Sequence, residues 1–260
     1  MTKVGFLGFG KMAMAIAQGW KTKCAENAPE VYAYAPNQKK LEHNCALFDA
    51  HPCRSIEEVV EHSEVLILAC KPKQVQSVLE DASESISGQF VICLAAGIDN
   101  ERLESWIPDI PHVSIMPNIA MAAGAGIVVV EKKNTLTEKE FEIFNQLISP
   151  LAYIAQVDPD QFSIAETISG CSPAFLGLYA EALADVGVKY GLNRELAAAL
   201  SAQAVYGAGS LLVEEGKEPS VFKNEICSPG GTTIKGIVAL EKAGFRAAVI
   251  EAIEAIQEKK

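Results

Sequence analysis

From Lys3 to about Gln156, short aliphatic or β-branched runs alternate with stretches of helical spacing. The runs are Val4–Leu7, Val31–Ala35, Val65–Ala69, Val91–Ala95, Val113–Met116, Gly126–Val130 and Leu151–Val157. Between them lie helix candidates with readable starts, Ser55 with Glu58 and Thr137 with Glu140, each in capping-box spacing. Strand, helix and strand repeated in this way point to a parallel, doubly wound α/β sheet.

The pattern stops at Val157-Asp158-Pro159, and only helical patterns follow. Pro173 to Tyr190 is expected to form one helix ending at Gly191, and Asn193 to cap a second that runs to Glu215. A chain of 260 residues exceeds a typical single domain of roughly 100–200 residues. The expected division is residues 1–158, an α/β domain, and residues 159–260, an all-α domain. Small residues crowd the second part, among them Ala197, Ala198, Ala199, Ala202, Ala204, Gly207, Ala208 and Gly209. Helices this smooth approach closely but form a thin core alone, so packing against a second copy is expected; a monomeric bundle on the sheet edge is the alternative.

Charge and composition narrow the partners. The net charge of −11, with no cluster of Lys and Arg, argues against nucleic acid. Any phosphate must then be held by backbone donors and a few placed cations. Seven cysteines without a CxxC pair, and an N-terminus that enters a strand-like run directly, suggest reduced thiols in the cytoplasm. Two uncharged stretches approach membrane-span length, His112–Val130 and Leu196–Val213. Pro117 and Asn118 break the first, and Ser201, Gln203 and Ser210 punctuate the second, so no membrane partner is expected.

The first strand runs into Gly8-Phe9-Gly10-Lys11-Met12-Ala13, a GxGxx(G/A) pattern opening a helix. Gly8 permits a tight turn, Gly10 lets the backbone approach a pyrophosphate, and Ala13 allows the helix to lie close on the sheet. A dinucleotide is the ligand such a junction takes; a purely structural glycine turn is the alternative. At the end of the second strand, where NAD-selective sites place an acid, the chain reads Tyr34-Ala35-Pro36-Asn37-Gln38-Lys39-Lys40. The missing carboxylate suits a ribose 2′-phosphate, hence NADPH with NADH as a weaker substitute; Lys39 and Lys40 by themselves read equally as a solvated helix face. Ala69-Cys70-Lys71-Pro72, Ala95-Ala96-Gly97 and Met116-Pro117-Asn118 fall where strand ends meet a ligand crevice. Small residues there leave room for a flat ring, and Lys71 and Asn118 could donate to a carboxamide or carboxylate. Finally, Cys227-Ser228-Pro229-Gly230-Gly231-Thr232-Thr233 precedes a helical pattern: either an anion loop of converging amides or a structural Ser-Pro cap with a Gly-Gly turn.

The ordered segments GFLGFGKMA, ILACKP, LAAG, SIMPN, ISGCSPAF, EALADVGVKYGL and SPGGTT resemble the pyrroline-5-carboxylate reductase family from residue 3 to about 255. That resemblance implies a Rossmann domain holding NADPH through Gly8, Phe9, Gly10, Lys11, Met12, Ala35, Pro36, Asn37, Ala69, Lys71, Pro72, Ala95 and Ala96. It implies a helical domain that intertwines with a partner's in a homodimer, often built further into rings of dimers. It also implies a substrate site between the nicotinamide and the loop Ser228, Gly230, Gly231, Thr232 and Thr233, with Asn118 nearby. Loop amides and Ser228 would hold the substrate carboxylate, and Thr233, the catalytic candidate, would hydrogen-bond the ring nitrogen. Two positions depart from the family pattern: the usual SGSGPAY reads Ser169-Gly170-Cys171-Ser172-Pro173-Ala174-Phe175, and Ile56 replaces an Asn often found near the adenosine.

Rival chemistries have weaker support. Gly170-Cys171-Ser172-Pro173-Ala174 imitates a nucleophile elbow, but no strand pattern precedes it and no His follows His112. His43, Cys45, His51 and Cys53 form two His-x-Cys pairs, yet Cys45 is in helical register with Leu41 and Phe48, so a core role competes with a metal site and no metal is expected. The 3-hydroxyisobutyrate and 6-phosphogluconate dehydrogenases use a lysine where this chain has Ser172-Pro173-Ala174. A dinucleotide-binding regulator that lost its activity is the non-enzymatic rival, and the full SPGGTT loop counts against it.

Overall fold

The structure is a computed structural model and describes residues 1–258. It divides into two compact units, Met1–Gly170 and Cys171 onward.

The first unit is built on an eight-stranded sheet. In chain order its elements are β1 (Lys3–Leu7), α1 (Lys11–Lys23), β2 (Glu30–Tyr34), α2 (Gln38–Ala46), β3 (His51–Pro52), α3 (Ile56–His62), β4 (Val65–Leu68), α4 (Val75–Ser83), β5 (Phe90–Cys93), α5 (Asn100–Trp106), β6 (His112–Pro117), β7 (Gly126–Glu131), α6 (Glu138–Ile148) and β8 (Ala152–Val157). The strand order is β3-β2-β1-β4-β5-β6-β7-β8. Every neighbouring pair is parallel except β6 with β7, which is antiparallel. The expected doubly wound sheet is present, with two differences. A two-residue strand, β3, escaped the sequence pattern, and residues 118–125 are too short for the crossover of a dozen or more residues that a parallel β6–β7 pair would need.

Successive side chains point to opposite faces of a strand, and here both faces are buried. Val4 and Phe6, Val65 and Ile67, and Phe90 and Ile92 pack with Ile16, Trp20 and Phe144 on one face. Leu7, Leu66, Leu68, Val91 and Cys93 pack with Val59, Leu79 and Leu103 on the other. Trp20 also donates its indole N–H to the carbonyl of Leu147, 2.7 Å, so α1 and α6 share one core. The capping residues read from the sequence do cap: Ser55 accepts from the Glu58 amide, and Thr137 with Glu140 closes a full capping box, each worth about 1 kcal/mol.

The helices that follow are α7 (Phe162–Lys189), α8 (Arg194–Glu215), α9 (Pro219–Ile226), α10 (Thr232–Lys242) and α11 (Phe245–Gln257). Asn193 caps α8 as expected, its side chain accepting from Leu196 N at 2.8 Å. The helix expected from Pro173 instead begins at Phe162, so Pro173 lies inside it. Among the described residues of the second unit, Ala184, Ala197 and Ser201 are the buried ones, whereas Leu178, Tyr206 and Val213 are at least 66% exposed. Of its helices, α8 is apolar and long enough to cross a membrane by length and composition. A helical unit with so little core leaves apolar faces without partners of its own.

Candidate functional site

The strand order reverses around β1 and β4, and ligands in open α/β sheets bind outside the carboxyl ends of strands at such a switch point. The chain leaves β1 through Gly8, whose φ of +99° suits glycine alone. A Cβ there would lie 2.8 Å from the Ala69 carbonyl carbon and the Cys70 nitrogen, so the loop after β4 lies directly against it. Gly10 is different: its φ of −94° is open to any residue, and an added Cβ would meet nothing within 4 Å. Gly10 is also the N-cap of α1, with no side chain capping it and no acid in the first turn. The first amides of α1 and its positive dipole end are therefore free of competing acceptors from a capping side chain, which fits a pyrophosphate.

Around this start the predicted positions differ in exposure. Lys11 is exposed, Met12 half-buried and Ala13 buried, as the helix rotates from solvent to sheet. Phe9 points its ring into the core, edge-on to Phe6 at 5.5 Å, so only its backbone is left for a cofactor. After β2, Ala35, Pro36 and Asn37 form an uncharged edge, and the Asn37 side chain caps α2 through the Lys40 amide at 3.1 Å. Lys39 and Lys40 are exposed. Beyond β4 and β5, Lys71, Pro72, Ala96 and Gly97 are exposed, Ala69 is half-buried and Ala95 is buried. The thiol between them, Cys70, is pushed up by burial and so stays protonated.

Two supports of this site lie outside the sequence motifs. Buried Asn44 donates to the Phe9 carbonyl at 3.0 Å, holding the glycine loop from α2. Gln38 ties the Ala35 carbonyl to that of Cys53, at 3.1 and 3.3 Å. A signal for the first existed, since Asn44 shares the core register of Leu41 and Cys45, where an amide needs a partner. Ile56, the departure from the family pattern, is a buried core residue at the start of α3. Asn118 is also buried, and its side chain is engaged: the oxygen accepts from the Ala120 and Ile127 amides, each 3.2 Å, and the nitrogen donates to the Ser169 carbonyl at 2.9 Å.

In the second unit, Ser228-Pro229-Gly230-Gly231 is a tight turn closed by Gly231 N–H to the Ser228 carbonyl at 3.0 Å. Proline at the second position and Gly230 with φ +71° at the third form the type II pattern. A Cβ on Gly231 would stand 2.5 Å from Ser228 Oγ, so only glycine lets the hydroxyl fold back over the turn. Gly231 then opens α10 without a side-chain cap, and Thr232 and Thr233 are exposed in its first turn. The result is a glycine turn, two free hydroxyl positions and a bare helix start, the chemistry that receives a carboxylate.

The imitation nucleophile elbow, Gly170 to Ala174, lies in the middle of α7 with no strand before it, which excludes that chemistry. Of the His-x-Cys positions, Cys45 and Cys53 are buried, with thiols pushed up to about 11 mainly by burial, while His43 and His51 are exposed. Among the described residues no group of three metal-ligating side chains comes together.

The first unit is that of a nicotinamide-dependent oxidoreductase: residues 3–97 match the family described as NADP oxidoreductase, coenzyme F420-dependent. Residues 159–260 match the family described as pyrroline-5-carboxylate reductase dimerisation. The chain is 40% identical to pyrroline-5-carboxylate reductase from Treponema pallidum over 97% of each chain. Its fold superposes on pyrroline carboxylate reductase from Plasmodium falciparum, solved with NADP bound, with a TM-score of 0.83 and 30% identity over 99% of this chain and 96% of that one. The enzyme from Coxiella burnetii gives a TM-score of 0.87 at 26% identity, over 99% and 97%. The chain belongs to the pyrroline-5-carboxylate reductase family.

Proposed function

We propose that this chain is a cytoplasmic enzyme that reduces the cyclic imine 1-pyrroline-5-carboxylate to L-proline, the last step of proline biosynthesis, with NADPH as donor. The observation that carries this is the pairing, in one chain, of an uncapped α1 behind Gly8 and Gly10 with an uncapped α10 behind the Ser228–Gly231 turn. One is suited to a pyrophosphate and the other to a small carboxylate. NADPH, when bound, would supply the hydride that the imine carbon needs. The chain's own task is to bind, orient and manage one proton.

On the cofactor side, the backbone of Gly8, Phe9, Gly10, Lys11 and Met12 would hold the pyrophosphate. Ala35, Pro36 and Asn37 would border the adenosine ribose, and Ala69, Lys71, Pro72, Ala95 and Ala96 the nicotinamide half. On the substrate side, the amides of Gly230, Gly231 and Thr232, with the Ser228 hydroxyl, would take the carboxylate. The Thr233 hydroxyl would bond the ring nitrogen, which carries the proton that makes the adjacent carbon electrophilic. No buried acid is required, because solvent can supply that proton through Thr233. The seven cysteines are free thiols, which supports a reducing compartment.

The test is loss of NADPH absorbance on adding pyrroline-5-carboxylate to purified protein; absence of turnover removes the proposal. In the same assay NADPH should exceed NADH in kcat/KM by roughly tenfold, since β2 ends without a carboxylate to repel a 2′-phosphate. Comparable values would show that the end of β2 does not select. The helical unit is proposed to pair with a second copy, because its exposed Leu178, Tyr206 and Val213 need cover. Light scattering at micromolar concentration should give twice the chain mass or a whole multiple of that pair; a monomer would refute it.

A further inference from the structure

Proline inside an α-helix removes one hydrogen bond, the one its nitrogen would donate to the carbonyl four residues earlier. For Pro173 in α7 that carbonyl belongs to Ser169. The Ser169 carbonyl receives the Asn118 amide instead, at 2.9 Å in a buried position. We propose that Asn118 is a positioning residue for the reduction, supplying from the side the bond that Pro173 withholds and so stiffening α7 where the chain passes from the first unit to the second. This inference rests on the reductase reading above.

Several independent features mark Ser169–Pro173 as a joint. The boundary between the two compact units falls between Gly170 and Cys171, within this stretch. Gly170 is itself a poor helix former, so two weak residues stand four positions or fewer apart. Immediately before them Thr167 and Ser169 are buried, at 1% and 3% exposure, so this end of the stretch is held. Asn118 is a rigid post for such a bond. Its oxygen is fixed by the amides of Ala120 and of Ile127 in β7. The turn it begins presses on α1 so closely that a Cβ on Gly19 would collide with the Met121 carbonyl oxygen. Through that turn the Asn118 bond ties Ser169, within the first unit, to α1. Hydride transfer tolerates little misplacement, so a loosened α7 at Ser169 should slow the reacting step while leaving the cofactor's own seat intact.

A direct contact between Asn118 and substrate makes a different forecast, and a double-mutant cycle separates the two. Replacing Pro173 by alanine restores a backbone N–H that can bond Ser169, making the Asn118 donor redundant. N118A alone should lower kcat about tenfold with NADPH affinity within twofold of wild type. In the P173A background the same change should cost less than about threefold. An undiminished cost in that background, or wild-type kcat in N118A alone, overturns the inference. N118D keeps the acceptor for Ala120 and Ile127 but loses the donor, and it enters the same cycle if N118A does not fold. The thermal midpoint of the cofactor-free proteins gives a readout that needs no substrate: the N118A loss should shrink in the P173A background. Coupling in the midpoint with an inactive wild type would sink the reductase reading alone. An active wild type with no coupling in either readout would sink the role given to Asn118.

Discussion

Gly10→Ala is expected to raise the NADPH dissociation constant about a hundredfold, roughly 2.7 kcal/mol, while leaving the melting point of the cofactor-free protein unchanged. The two halves of that expectation have separate origins. At Gly10 the backbone has a φ of −94°, and the added methyl would meet no protein atom within 4 Å, so folding should not notice it. The same methyl would occupy the approach to the bare first turn of α1, where a pyrophosphate must come close to the amides. Gly8→Ala is the contrasting control. Its φ of +99° and the 2.8 Å approach of an added Cβ to the backbone of Ala69 and Cys70, in the loop after β4, make that change a folding defect, costing on the order of 3 kcal/mol. Fluorescence titration with NADPH and scanning calorimetry distinguish them. Native affinity in Gly10→Ala would show that the first turn of α1 is not where the phosphates sit.

What the sequence disclosed and what it withheld follow from the range of the forces involved. The β1–α1 junction was legible because a tight turn, an uncapped helix start and a small packing residue are all specified within Gly8–Ala13. The caps at Ser55, Thr137 and Asn193 were legible for the same reason, as local hydrogen bonds between residues three apart. Strand β3 was not, because two residues carry no periodicity and its pairing with Tyr32 and Ala33 comes from distant chain. The start of α7 was misplaced by a sound local rule. Proline ordinarily opens a helix, which places the start at Pro173, but a side chain 51 positions before Ser169 relieves the vacancy Pro173 creates. Asn118 shows the same limit from the other side. Its place at a strand end suggests a ligand donor, whereas its bonds with Ala120, Ile127 and Ser169 all go to backbone within the first unit. Long-range polar pairing of this kind leaves almost no trace in a single sequence beyond the residue type.

Thr233→Val is expected to lower kcat/KM for the imine about a hundredfold, or 2.7 kcal/mol in transition-state stabilisation, with little change in NADPH affinity. The fold gives grounds for keeping those effects apart. Thr233 is exposed in the first turn of α10, in the second unit, whereas Gly8, Gly10 and the edge after β2 belong to the first. The helix start does not depend on the hydroxyl, since α10 is opened by Gly231 with no side-chain cap. Valine keeps the branched shape at that position and removes only the group able to bond the ring nitrogen. Because the protonated imine gains electrons as hydride arrives, a hydroxyl aligned on its nitrogen acts on the reacting centre and should appear in kcat as well as KM. A rise in KM alone would reduce Thr233 to a binding contact. Near wild-type kcat/KM would leave it an ordinary helix-start residue, and Thr232 and Ser228 would then be the hydroxyls to substitute next.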